Sequence, residues 1–319
     1  MYDIIIIGSG PAGLTAGIYA SRANMKTLMI ASTFNPSLIT TTDLVENYPG
    51  FPDGITGFEI IERFTLQAKN FGMETAGADV TSVSRISQDG SVRWKVDTGD
   101  ENFEASALII ATGTQYAHLN VPGEEEFTGR GVSYCATCDG PFYRERNVVV
   151  VGGGDTAVQE ALFLTRFAET VTMVHRRDRL RATGILRDRA SANEKIRFEF
   201  NSVVEEITGD TAVTGVIIRD VNDSEKKKTL IADGVFIFTG NIPNTAFLGG
   251  LVECDDSGYI HVDEQMRTSV QGIFACGDCT TKLLRQVVTA CGDGATAAFA
   301  AEHYINDLKG TSYTPWNKP

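Results

Sequence analysis

The sequence predicts an α/β protein made of two related nucleotide-binding domains, the second inserted into the first. Three observations predict it. Two β-branched runs, Ile4 to Ile7 and Val148 to Val151, each lead through a glycine-rich turn into small, helix-compatible residues. Two apolar strands, ending Ala111-Thr112-Gly113 and Phe238-Thr239-Gly240, close the two units in the same way. The segment from Gly272 onward carries one short apolar strand and a helix, which completes the first unit rather than founding a third. The expected division is residues 1–114 with 245–319 for the first domain and residues 115–244 for the second.

With 319 residues, 42% of them hydrophobic, the chain is long enough to bury two cores. A net charge of -13 disfavours nucleic acid and anionic membrane as partners. Met1-Tyr2-Asp3 runs directly into a strand with no basic leader, and no apolar stretch approaches the roughly 20 residues a spanning helix needs. A cytoplasmic location, with no membrane contact, is expected. In a reducing compartment the six cysteines serve chemistry or packing rather than a secreted disulfide framework.

The first turn, Gly8-Ser9-Gly10-Pro11-Ala12-Gly13, has the glycines that let a backbone approach a pyrophosphate, and the helix that follows presents free N–H groups to it. The next strand, Thr27 to Ile30, runs into Ala31-Ser32-Thr33 and lacks the acidic residue that would grip a ribose. Helical spacing then joins Ile55, Phe58, Ile61, Phe64 and Ala68, and short strands fill residues 78–110.

The second turn, Gly152-Gly153-Gly154-Asp155-Thr156, follows the strand from Asn147 and enters a helix. Its partner strand ends in His175-Arg176-Arg177, with Arg181 beyond, about 20 residues past the glycines. Guanidinium groups at that position favour a ribose 2′-phosphate, hence NADP over NAD. Residues 222–228 read as an exposed hairpin tip without function. The last helix is expected from about Gly294 to Leu308.

Between the two turns lies Cys135-Ala136-Thr137-Cys138-Asp139-Gly140, whose thiol spacing suits a reversible disulfide. A second pair, Cys276 and Cys279, leaves a four-thiolate zinc site, and with it a zinc-organised binding module, as the alternative of a different class. The simpler expectation is no metal, with Cys276, Cys279, Cys254 and Cys291 as small packing residues.

In order along the chain stand the first glycine turn, Glu46-Asn47-Tyr48-Pro49-Gly50, Ala111-Thr112-Gly113, the Cys135 to Gly140 segment, the second glycine turn, His175-Arg176-Arg177, Gly277-Asp278 and Arg285-Gln286. With these motifs the chain closely resembles the low-molecular-weight thioredoxin reductases, essentially end to end. The resemblance implies a homodimeric flavoprotein reducing thioredoxin or a thioredoxin-like protein. It implies FAD at Gly8, Ser9, Gly10, Pro11, Ala12, Gly13, Asn47, Ala111, Thr112, Gly113, Gly277, Asp278, Arg285, Gln286 and Val287. It implies NADPH at Gly152 to Thr156, His175, Arg176, Arg177 and Arg181. It also implies that Cys135 attacks the partner disulfide, that Cys138 faces the flavin and resolves the mixed disulfide, and that Asp139 is the general acid/base. The chain departs from the family pattern at Pro36-Ser37-Leu38-Ile39, at Pro141-Phe142 and at Leu284. A related flavin-linked disulfide reductase with another donor or partner is the alternative within enzymes.

Overall fold

A computed structural model describes residues 1–33, 37–42, 44–88 and 91–311. The chain divides into two compact units, Met1–Gln115 with Ile242–Pro319, and Tyr116–Asn241. The altered segment begins at Pro36, outside the described residues; its last two residues, Leu38 and Ile39, open a 3-10 turn.

The first unit begins β1 (Tyr2–Ile7), α1 (Pro11–Arg22), β2 (Thr27–Ala31), α2 (Gly57–Asn70), β3 (Glu74–Gly77), β4 (Ser82–Gln88), β5 (Ser91–Asp97) and β6 (Asn102–Ile110). A short strand β7 (Thr114–Tyr116) leads out of it. The second unit runs β8 (Val132–Ser133), α3 (Ala136–Asp139), β9 (Asn147–Gly152), α4 (Asp155–Leu164), β10 (Thr170–His175), α5 (Gly184–Ser191) and β11 (Ile196–Phe200). It ends with β12 (Ser202–Gly209), β13 (Val213–Asp220), β14 (Lys227–Ile231) and β15 (Gly234–Phe238). The chain returns through β16 (Asn241–Pro243), which pairs with β7, to β17 (Ile273–Ala275) and α6 (Val287–Lys309).

The first sheet has the order β3-β2-β1-β6-β5-β4, with β17 also paired to β6. On the side away from β1, β6 serves two partners because its N-terminal half pairs antiparallel with β5 while Leu108 to Ile110 pair in parallel with β17. The second unit has a parallel sheet in the order β11-β10-β9-β15-β8 and an antiparallel sheet β12-β13-β14.

The uninterrupted apolar runs follow from cover on both faces of the parallel strands in each unit. Ile4, Ile6 and Ile109 pack with α1 and α6 on one face, whereas Ile5, Ile7, Leu108 and Ile110 bury against Trp94, Leu248 and Ile260 on the other. In the second unit Val148, Val150 and Phe236 pack with α4, and Val149, Val151 and Ile237 meet Val216 and Ile218 of the antiparallel sheet.

Two helices differ from the sequence reading. α2 is started by a capping box, in which Thr56 and Glu59 satisfy one another's backbone N–H groups, and it buries Ile60 and Ala68 while Phe58 stays exposed. α6 begins at Val287, well before Gly294, because Gln286 and Thr289 form its N-terminal cap. Gly294 sits inside the helix because α1 passes so close that a Cβ there would lie 2.1 Å from the Ala12 carbonyl oxygen. Gly294→Val is therefore expected to destabilise the protein by about 1–3 kcal/mol through overpacking, seen as a lower midpoint in urea unfolding.

Candidate active site

The two glycine turns are built alike. Gly8 and Gly152 have φ of 111° and 149°, and a Cβ on either would lie 2.3 Å from a carbonyl oxygen, of Ala111 and Phe238 respectively. Each first glycine is thus fixed by the end of the neighbouring return strand, β6 or β15. Both turns lie at the carboxyl ends of parallel strands where the strand order reverses, the place where open α/β sheets bind ligands. α1 and α4 are preceded by Gly10 and Gly154 as N-cap residues, so no side chain caps their first N–H groups, and Pro11 occupies the first turn of α1. These ends suit a pyrophosphate.

Around the first turn the remaining predicted residues converge. The Asn47 amide donates to Gln286 Oε1 at 2.9 Å across 239 residues of sequence. Thr112 Oγ1 donates to the Asn244 carbonyl at 2.7 Å, and the Asn244 amide donates back to the Thr112 carbonyl at 3.1 Å, so the turn after β6 is clamped. The Gly277 N–H donates to Asp293, which is ion-paired with Lys282. Asp278 keeps a buried carboxylate oxygen, Oδ1, without a hydrogen-bond partner, and burial pushes its pKa up. An orphaned acceptor beside a glycine turn fits FAD, whose ribityl hydroxyls are donors. Arg285 donates to the carbonyls of Asp278 at 3.2 Å and Thr280 at 3.0 Å and lies over the Tyr259 ring, so its guanidinium shapes the loop. Val287 is the first residue of α6. Asn244, Lys282 and Asp293 carried no local sequence signal; only tertiary pairing gives them meaning.

Cys276 and Cys279 are fully buried, and burial raises both thiols, Cys279 to about 11, which keeps them neutral packing groups. Cys291 is also buried. Cys254 corrects the sequence reading, since it is exposed in the loop after Val252 rather than packed.

In the second unit the basic segment is tied to its glycine turn. The backbone N–H groups of Arg181 and Ala182 donate to the Gly153 carbonyl at 2.7 and 3.1 Å, and Asp155 accepts from the Thr183 N–H at 2.7 Å. The buried His175 ring packs on Gly153, where a Cβ would come within 2.5 Å of it. Burial, and then the neighbouring arginines, lower the His175 pKa, so the ring is neutral and spaces the loop rather than adding charge. Arg176, Arg177 and Arg181 line an open cavity of about 720 Å³. Sequence reasoning missed Arg179, Arg187 of α5 and Asn222, which line the same cavity. Asn222 comes from the polar tip to which no function was given, brought there by the β13–β14 hairpin.

Cys135 and Cys138 are joined in a disulfide across the short helix α3, with Cα atoms 5.4 Å apart. Ser133 Oγ accepts from the Cys135 N–H at 3.0 Å, and the Cys138 N–H points at Cys135 Sγ at 3.1 Å. Cys138 is exposed and Cys135 half-buried. Asp139 ends α3, with its N–H on the Cys135 carbonyl at 3.1 Å. Tyr143 lies near enough that Asp139, after burial, raises its pKa. Phe142, on the turn that follows, is 75% exposed.

The chain matches the pyridine nucleotide-disulphide oxidoreductase family over residues 2–294. It is 49% identical over 311 residues to the thioredoxin reductase of Listeria monocytogenes, covering 97% of this chain and 95% of that protein. It is 44% identical over 313 residues to the bifunctional thioredoxin reductase/thioredoxin of Mycobacterium leprae, covering 98% of this chain and 67% of that protein. The crystal structure of Lactococcus lactis thioredoxin reductase superposes with a TM-score of 0.92 at 42% identity, covering 97% of this chain and all of that one. Two glycine turns of one design, a disulfide between them in sequence and this near end-to-end likeness place the chain in the pyridine nucleotide-disulphide oxidoreductase family.

Proposed function

We propose that the protein is an NADPH-dependent thioredoxin-disulfide reductase. The observation that carries the proposal is the Cys135–Cys138 disulfide, held in a unit that also has an arginine-lined nucleotide turn. The net reaction is NADPH + H⁺ + oxidised thioredoxin → NADP⁺ + reduced thioredoxin. When bound, FAD supplies an acceptor for the nicotinamide hydride and a donor of that electron pair to the disulfide. The first glycine turn, Asn47, Ala111 to Gly113 and Gly277 to Asp278 hold it, while Arg285 and Gln286 shape the loop around it. Arg176, Arg177 and Arg181 bind the 2′-phosphate of NADPH.

Once the disulfide is reduced, the Cys135 thiolate attacks one sulfur of the partner disulfide and displaces the other as a thiolate. Asp139 delivers a proton to the departing sulfur. The Cys138 thiolate then attacks Cys135, releasing the partner as a dithiol and closing the internal disulfide. Thioredoxin is the partner favoured by the relatives' activity, including one in which reductase and thioredoxin share a chain. The working form is a cytoplasmic homodimer, and the exposed apolar side chains Leu66 of α2 and Phe299 and Leu308 of α6 support the dimeric part of that reading. Among the described residues no helix is long and apolar enough to cross a membrane.

Anaerobic titration tests the proposal. NADPH is expected to bleach the flavin absorbance of the purified protein, and oxidised thioredoxin to restore it. Purified protein with stoichiometric zinc and no flavin would instead point to the binding-module alternative.

A further inference from the structure

The residue before Cys135 is held by a set of side chains that the proposed reaction does not use. Glu124 is 4% exposed, yet it has no lysine or arginine partner among the described residues. Its carboxylate accepts from the Leu119 N–H at 2.9 Å, the Asn120 N–H at 2.6 Å and the Tyr134 hydroxyl at 2.6 Å. Asn120 adopts a left-handed φ of 57°, a conformation costly for a residue with a Cβ, and both N–H groups of this turn meet the carboxylate. Burial works to raise the Glu124 pKa, but the tyrosine and backbone donors outweigh it and the pKa falls, so the group is an anion.

Tyr134 is held from every side. Its hydroxyl proton lies on Glu124, so the 2.7 Å contact with His118 Nδ1 requires the imidazole to donate to the phenol oxygen. His118 Nδ1 is also 3.4 Å from Glu124 Oε1. The Tyr134 ring stacks on Tyr116, with centroids 6.1 Å apart, and takes the edge of His118 at 5.1 Å. The backbone continues the restraint: Ser133 Oγ accepts from the Cys135 N–H and donates to the Cys135 carbonyl at 3.2 Å, and Cys135 Sγ faces the Cys138 N–H.

We infer that Glu124, Tyr134 and His118 are positioning residues for Cys135, holding its sulfur against the Cys138 N–H so that this donor stabilises the thiolate formed on reduction. The inference rests on the reading of Cys135 as the attacking thiol. A sulfur free to swing away from that N–H loses a charge-assisted hydrogen bond and becomes a weaker acid.

The test is the pH profile of iodoacetamide alkylation at Cys135, located by peptide mass spectrometry, in full-length protein reduced with dithiothreitol. Tyr134→Phe keeps the ring and removes the anchoring hydroxyl, and Glu124→Gln keeps the shape and removes the charge. Both are expected to move the profile to higher pH, with alkylation at neutral pH falling about tenfold, the effect of one unit in a thiol pKa. Unfolding midpoints measured alongside separate this effect from lost stability, and Tyr134→Phe remains decisive if Glu124→Gln does not fold. A Tyr134→Phe profile that superimposes on that of the unaltered protein overturns the inference. Failure of NADPH to expose Cys135 to alkylation in the unaltered protein would count against the proposed function instead, because the positioning test uses chemical reduction.

Discussion

Replacing Cys135 with serine is expected to lower thioredoxin-reducing turnover by about four orders of magnitude or more, because a member of a nucleophilic unit is lost rather than weakened. A serine hydroxyl at neutral pH is almost wholly protonated, and it cannot form the mixed disulfide on which exchange depends. Cys138→Ser has the same effect on turnover for a different reason: the internal disulfide can no longer form, and any mixed disulfide made by Cys135 stays unresolved. The two variants should therefore differ in what they trap. Cys138→Ser, whose Cys135 thiol is free, mixed with oxidised thioredoxin without added reductant, is expected to accumulate a covalent adduct visible on a non-reducing gel, whereas Cys135→Ser is not. Flavin reduction by NADPH should continue in both, since neither serine touches the nucleotide turns. The opposite pattern of adducts would reverse the roles assigned to the two sulfurs.

Reversing the charge at Arg176 and Arg177 is expected to remove the preference for NADPH over NADH. Charge-assisted hydrogen bonds contribute roughly 1.5–3 kcal/mol each, so losing two costs about a hundredfold or more in kcat/KM for NADPH. The same change should leave NADH nearly unaffected, because NADH lacks the 2′-phosphate. Comparing kcat/KM for the two nucleotides in the unaltered protein and the double variant is the check. Equal use of both nucleotides by the unaltered protein would defeat the assignment. The arginines that sequence reasoning missed, Arg179 and Arg187, line the same cavity and make a single substitution the weaker test.

The parts legible in the sequence were those whose physics is local. Gly8 and Gly152 could be read because a glycine between an apolar strand and a helix has few other uses, and the return strands because buried parallel strands are continuously apolar. The basic segment after β10 was legible as a cluster because its arginines are consecutive or nearly so in the sequence, and they line one cavity. What stayed hidden depends on contacts across the chain. Asn222 reached the basic cavity only through hairpin pairing, and Arg187 only through the way α5 packs. Glu124 looked like one acid among Glu124, Glu125 and Glu126, and nothing in that run reveals that the first of them is buried against Tyr134. The start of α6 was misplaced because glycine usually breaks helices, whereas Gly294 is there to let α1 come close. Cys254 was misjudged because cysteine is most often buried, a tendency that does not bind an individual residue.

The pairing of β7 with β16 bears on which cuts and joins the chain can tolerate. Strands bonded in one sheet lie about 5 Å apart, so the two points where the chain passes between its units are neighbours in space. A segment whose two ends meet in this way can be spliced into a loop of a host, or cut out of it, without stretching either partner. The two ends of residues 116–241 thus lie side by side, and a short turn is the expected replacement for that stretch in a shortened chain.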